Sequence, residues 1–104
     1  MPVKMKTLAQ VTLTTAGTSQ RLVAAPNLVL TTTISASPSN SGYIYVGDSN
    51  VSSTRYAARL AAGEFVVIDG PSAEGGSDSF DLYDIYIDGS ASSDKVMVAY
   101  QERD

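Results

Sequence analysis

Apolar and polar residues alternate through most of the chain, in β-branched and aromatic runs broken by Gly, Pro, Asn and Asp. A period of two belongs to strands with one face buried. Between Met5 and Thr14 one parity carries Met5, Thr7, Ala9, Val11 and Leu13, and the other Lys6, Gln10, Thr12 and Thr14, with Leu8 as the exception. "TAGTSQ" reads as a turn, and "RLVA" as a short strand ended by Pro26 and Asn27. In "LVLTTTISA", Leu28, Leu30, Thr32, Ile34 and Ala36 take one side and Val29, Thr31, Thr33 and Ser35 the other. After the turn signal "SPSNSG" come strands at 43–47, "FVVI" (65–68), "LYDIYI" (82–87) and "KVMVAYQ" (95–101), separated by "DGPSAEGGSDS" and "DGSASSD". This spacing predicts an all-β chain, a single antiparallel β-sandwich of about seven to eight strands, jelly-roll or immunoglobulin-like, over residues 1–104.

Segment 53–63, "STRYAARLAAG", supports two readings. A short helix would use Ser53 or Thr54 as cap, Tyr56 and Leu60 one turn apart, and Gly63 as the stop. An extended loop would let Leu60 plug the end of the sandwich, and this is the preferred reading.

Two stretches echo each other: "YIYVGDSNVSST" (43–54) and "DIYIDGSASSDK" (84–95). Either a binding loop is used twice, or a strand and its turn are built twice, and the residues favour the scaffold. With Ile44 and Val46 inward, Tyr43 and Tyr45 face out. In the second copy Ile85 and Ile87 go in with Tyr83, leaving Leu82 and Tyr86 outside. Gly47–Asp48 and Asp88–Gly89 suit tight turns, Gly by its backbone freedom and Asp by bonding to its own backbone.

The same acids pose a cation question. Asp78, Asp81, Asp84, Asp88 and Asp94 are oxygen donors of the kind hard cations prefer, but their spacing does not match an EF-hand loop and no bidentate Glu closes the set. Asp84 and Asp88 are expected on an ordinary solvated face. No metal or other cofactor is expected.

Composition narrows the classes. At 43% hydrophobic and 17% charged, the chain has the make-up of a folded domain and not of a disordered tail. A net charge of −4 argues against nucleic acid, whose phosphates call for clustered Lys and Arg. The charge is uneven: residues 1–60 hold five cations against Asp48, and residues 61–104 hold two cations against ten acids. Such an asymmetry suits docking against copies of the chain or onto another charged surface, unless folding interleaves the halves and cancels it. With no Cys, disulfides are excluded and a reducing cytoplasm suits assembly. The polar residues in "MPVKMKTLAQVTLTT" argue against a signal peptide, and no stretch is apolar enough to predict a membrane span.

With neither His nor Cys, Ser-His-Asp and Cys-His schemes are unavailable. A carboxylate pair for glycoside hydrolysis would have to come from Glu64 or Glu74 with an Asp, and no local motif marks one. "GGSDS" lacks the Lys and helix start of a phosphate loop, and "NVS" (50–52) is formally a glycosylation acceptor. The expectation is a non-enzyme.

Taken in order, "VTLTTAGTSQRLVA", "GYIYVGDSNVSST", "LAAGEFVVI" and "LYDIYIDGSASSDKVMVAYQE" resemble a recurrent kind of small structural protein of tailed bacteriophages. The resemblance runs from about Lys6 to Tyr100 and rests on the order and spacing of its motifs. The sequence departs from the pattern at Arg59, where a Gly or small polar residue is expected, and in the longer "PSAEGGSDSFD". What the resemblance implies is a non-enzymatic virion component on the capsid surface, made in the host cytoplasm. Its expected role is a capsid decoration (cement) protein that binds the major capsid protein and covers seams between subunits. The alternative is a neck, head-fibre or tail adhesion module that binds a host glycan. A homotrimer is expected because cement proteins often occupy three-fold sites, although the sequence has no coiled-coil signature. Tyr43, Tyr45, Arg55, Arg59 and Tyr86 are the candidate interface residues, since Tyr and Arg anchor such contacts.

Overall fold

In this computed structural model, residues 3–8, 10–69, 72–73, 76–77 and 80–103 are described. Their strands are β1 Val3–Thr7, β2 Val11–Thr12, β3 Gln20–Arg21, β4 Leu28–Val29, β5 Thr31–Ala36, β6 Ile44–Gly47, β7 Ala58–Leu60, β8 Phe65–Asp69, β9 Ser72–Ala73, β10 Gly76–Ser77, β11 Phe80–Asp81, β12 Tyr86–Gly89 and β13 Lys95–Arg103. One 3-10 turn spans Leu82–Asp84, and no α-helix occurs among the described residues. The chain is all-β with antiparallel pairing throughout. In place of one set of seven or eight strands there are several sheets. A five-stranded sheet runs β1-β13-β5-β8 with β2 also on β13, a four-stranded sheet runs β3-β12-β6-β7, and β9–β10 and β4–β11 form two small pairs.

Both large sheets send side chains into one cluster: Ile34, Ala36, Val96, Val98 and Tyr100 from the first, Ile44, Val46, Leu60 and Ile87 from the second, Val29 from the β4–β11 pair, and Leu22, Leu82 and Ile85 from the connections. The acidic half of the sequence lies between strands of the basic half, β13 between β1 and β5 and β12 between β3 and β6. Lys6 reaches Glu102 at 3.1 Å across the first of these seams.

Strand phase departs from the expected alternation at three places. Thr7 pairs with Ala99 but Val11 pairs with Val96, so the first strand holds one residue more than its partner. Such a bulge flips the facing of side chains. Met5 is therefore 67% exposed, while Leu8 packs on the core; Ala9 lies outside the described residues. At Leu30 the chain passes from β4, paired with β11, to β5, paired with β13 and β8. The break puts Val29 inside and Leu28 outside. In the third place, the expected strand 82–87 begins with the 3-10 turn. The Asp81 carboxylate caps it by accepting from the Tyr83 N–H at 2.9 Å. Leu82 is consequently buried, not exposed, and Tyr83 is half-buried.

Segment 53–63 is neither helix nor open loop. Ser52 and Arg55 close a tight turn, after which Ala58–Leu60 pair with β6 and bury Leu60. The open edge of β6 supplies the hydrogen-bonding groups that a short helix would have had to satisfy alone.

Candidate functional site

The two echoed segments are neighbours. β6 and β12 pair with Tyr86 opposite Gly47, Ile87 opposite Val46, Asp88 opposite Tyr45 and Gly89 opposite Ile44. Ile44, Val46 and Ile87 enter the core, and Tyr45, Tyr86 and Asp88 take the outer side of the four-stranded sheet. The echo therefore builds two adjacent scaffold strands.

That outer side is roofed by the chain's own loops. Ser19 Oγ donates to the Ser49 carbonyl at 3.0 Å and joins the loop after β2 to the loop after β6. Under the first loop lies Asp88, only 2% exposed, whose Oδ1 accepts from the Gly17 N–H at 2.9 Å and the Gly89 N–H at 2.7 Å. Asp88 and Gly89 thus belong to a buried strand end and not to an exposed turn, and the solvated face expected for Asp88 is corrected. Gly17 has φ +88°, where a side chain is strained, so Gly17→Ala is expected to cost about 1–2 kcal/mol in chemical denaturation. Under the second loop lies Tyr45, 7% exposed, with the Tyr56 ring stacked on it at 5.3 Å. Outward facing does not leave Tyr45 accessible, because an adjacent aromatic covers it.

The five expected interface residues divide accordingly. Tyr43 is exposed, with the Arg59 guanidinium 4.5 Å above its ring, and Arg59 is exposed as well. Arg55 is exposed on the turn before β7. Tyr45 is buried, and Tyr86 is half-buried beneath Arg21, which lies 4.9 Å from its ring and 3.7 Å from that of Tyr83. Arg21 carried no sequence signal, because only the long-range β3–β12 pairing brings it to these rings.

Most acids are engaged within the fold. Asp94, buried, accepts from the Ser41 and Gly42 N–H groups at 3.0 and 2.8 Å. Asp81 also accepts from the Asn27 N–H at 2.8 Å, and Glu64 from the Ala61 N–H at 2.7 Å. Glu74 and Asp78 lie outside the described residues. Among the described residues no three acids gather as a metal site. Asp84 is exposed and bonds to no other described side chain or backbone group, so Asp84→Ala is expected to change stability by less than about 0.5 kcal/mol by the same assay.

The outer face of the five-stranded sheet is different. Its cross-strand rows include Met97–Ser35–Phe65, Thr7–Ala99–Thr33–Val67 and Met5–Gln101–Thr31–Asp69, with Thr12–Lys95 beside the first. Phe65 is 64% and Val67 49% exposed, and the first two rows carry no charge. The sequence signal was the unbroken "FVVI": where neighbours alternate, four apolar residues in succession leave two on the outside.

An open groove of about 590 Å³ lies at the far end of β6, between the 54–57 turn and Asp84–Ile85. No protein family, no curated protein and no solved structure matches this chain.

Proposed function

We propose that the chain is a non-enzymatic structural protein of a tailed-bacteriophage particle, a decoration (cement) protein that docks on the outside of the head and strengthens contacts between major capsid subunits. The five- and four-stranded sheets are read as the two layers of one sandwich. The observation that carries the reading is the contrast between its two outer faces. One is roofed by two loops, the first hydrogen-bonded to Asp88 of the sheet and joined to the second through Ser19 and Ser49. The other is an open sheet surface on which Phe65 and Val67 are bare in two uncharged rows, with the exposed Met5 in the next row, which ends in Asp69. Large apolar side chains bare on an open sheet face are characteristic of a docking face. The ordered resemblance of the sequence motifs to small phage structural proteins supports the partner's identity.

In this reading the capsid contact is centred on Phe65 and Val67, with Tyr43, Arg55 and Arg59 free for rim contacts or for neighbours in a homotrimer. Tyr45 packs beneath Tyr56 of the second loop, and Tyr86 beneath Arg21 of β3. The test is to add purified chain to capsids assembled without it and to sediment the mixture. Saturable co-sedimentation, with capsids that resist heating better, is expected. A chain that stays in the supernatant at all capsid concentrations would reject the role.

A further inference from the structure

We propose that the groove beside Tyr56 binds an uncharged pyranose residue of a glycan, an activity beyond the decoration role. Its volume of about 590 Å³ lies within the range of about 300–1,000 Å³ usual for small-molecule sites. Tyr56, Ile68 and Ile85 give it an apolar wall, and Asp48, Arg55 and Asp84 give it a charged one.

Three features of these residues suit a sugar. Tyr56 is stacked on the buried Tyr45, which fixes the ring, and it still shows 45% of its surface. A fixed aromatic plate is pre-organised, so little side-chain freedom is lost on binding. The CH-bearing face of a pyranose packs on such a plate by dispersion and by attraction of its polarised hydrogens to the negative ring face.

The second feature is the unused polar capacity. Among the described residues Asp84 is the one acid whose carboxylate has no hydrogen bond or ion pair, and the Arg55 guanidinium also has none. Asp48 uses one oxygen to accept from the Asn50 N–H at 2.9 Å. Carboxylates that accept and a guanidinium that donates, set around an aromatic plate, complement the ring of hydroxyls on a neutral sugar.

The third is the sign of the charge. Two carboxylates against one guanidinium disfavour sialic acids, phosphates and other anions. Three charged side chains at the rim equally disfavour an acyl chain.

The test is an NMR titration of the labelled chain with methyl glycosides of glucose, galactose, mannose and N-acetylglucosamine. It is followed by an array of neutral and anionic glycans. Shifts concentrated on the amides of residues 54–57 and 84–85 with at least one neutral glycoside are expected. Asp84→Asn is expected to weaken that binding about tenfold with an unchanged melting temperature, since it removes a charge-assisted acceptor that the fold does not use. Tyr56→Leu should abolish it while keeping Tyr45 covered. The proposal is overturned if no neutral glycoside shifts these amides, if only anionic glycans bind, or if Asp84→Asn and Arg55→Ala both bind like the native chain.

Discussion

Asp88→Ala is expected to remove about 2–4 kcal/mol of folding stability, and so to lower the melting temperature by roughly 10–20 °C for a domain of this size. One carboxylate oxygen holds two backbone N–H groups, Gly89 within its own strand and Gly17 from a loop some seventy residues earlier in sequence. Removing it leaves the Gly89 donor without a partner inside the protein and releases the Gly17 loop from the sheet. A buried donor without a partner costs about 1–3 kcal/mol, and a hydrogen bond to a charged acceptor contributes about 1.5–3 kcal/mol. Asp88→Asn keeps the shape and one neutral acceptor, so its loss should be about 1 kcal/mol. Amide exchange supplies the diagnostic detail: protection at Ala16 and Gly17 should fall further than at Val96 or Val98 in the core. A melting temperature within a few degrees of the native value for Asp88→Ala would contradict this role.

In the proposed decoration role, Phe65→Asp combined with Val67→Asp is expected to weaken attachment to capsids more than 100-fold while leaving the chain folded. Both side chains lie on the outer face of β8, which among the described residues is an edge strand paired with β5 alone. Neither belongs to the core cluster, so charges at these positions remain in water in the free protein. At the contact the loss is double. Burial of Phe and Val contributes about 1.5–3 kcal/mol each, and two carboxylates would be buried without partners. A change of about 3 kcal/mol already exceeds a factor of 100. Sedimentation with capsids measures the loss, and circular dichroism with thermal melting verifies the fold. If attachment survives this pair and is lost instead with Tyr43→Ser and Arg59→Ser, the docking surface lies on the four-stranded sheet.

The sequence made the all-β class legible because period-two patterning is local. Thr32, Ile34 and Ala36, and likewise Val96, Val98 and Tyr100, are buried at the positions the alternation indicates. Errors arose where pairing over long range sets the phase. Leu8 looked like an exception, yet it marks the bulge; Leu82 looked external until the Asp81 cap turned the chain. The exposure expected of Tyr45 and Asp88 was misread for a related reason. Alternation tells which side of a strand a residue takes, but not what covers that side. Tyr45 and Asp88 face outward and are buried by loops whose closure depends on the Ser19–Ser49 contact and on Gly17. Ala58–Leu60 shows the converse: an alternating triplet in a helix-compatible segment becomes a strand because β6 has an open edge.

The most direct test of the proposed decoration role is to take virions of a tailed phage whose genome carries this sequence, separate them into heads and tails, and quantify the chain against the major capsid protein. The expected result is recovery with the heads, at a fixed ratio to the major capsid protein and in copies far exceeding those of any tail component. Recovery of only a few copies with the tails, or absence from the particle, would contradict it.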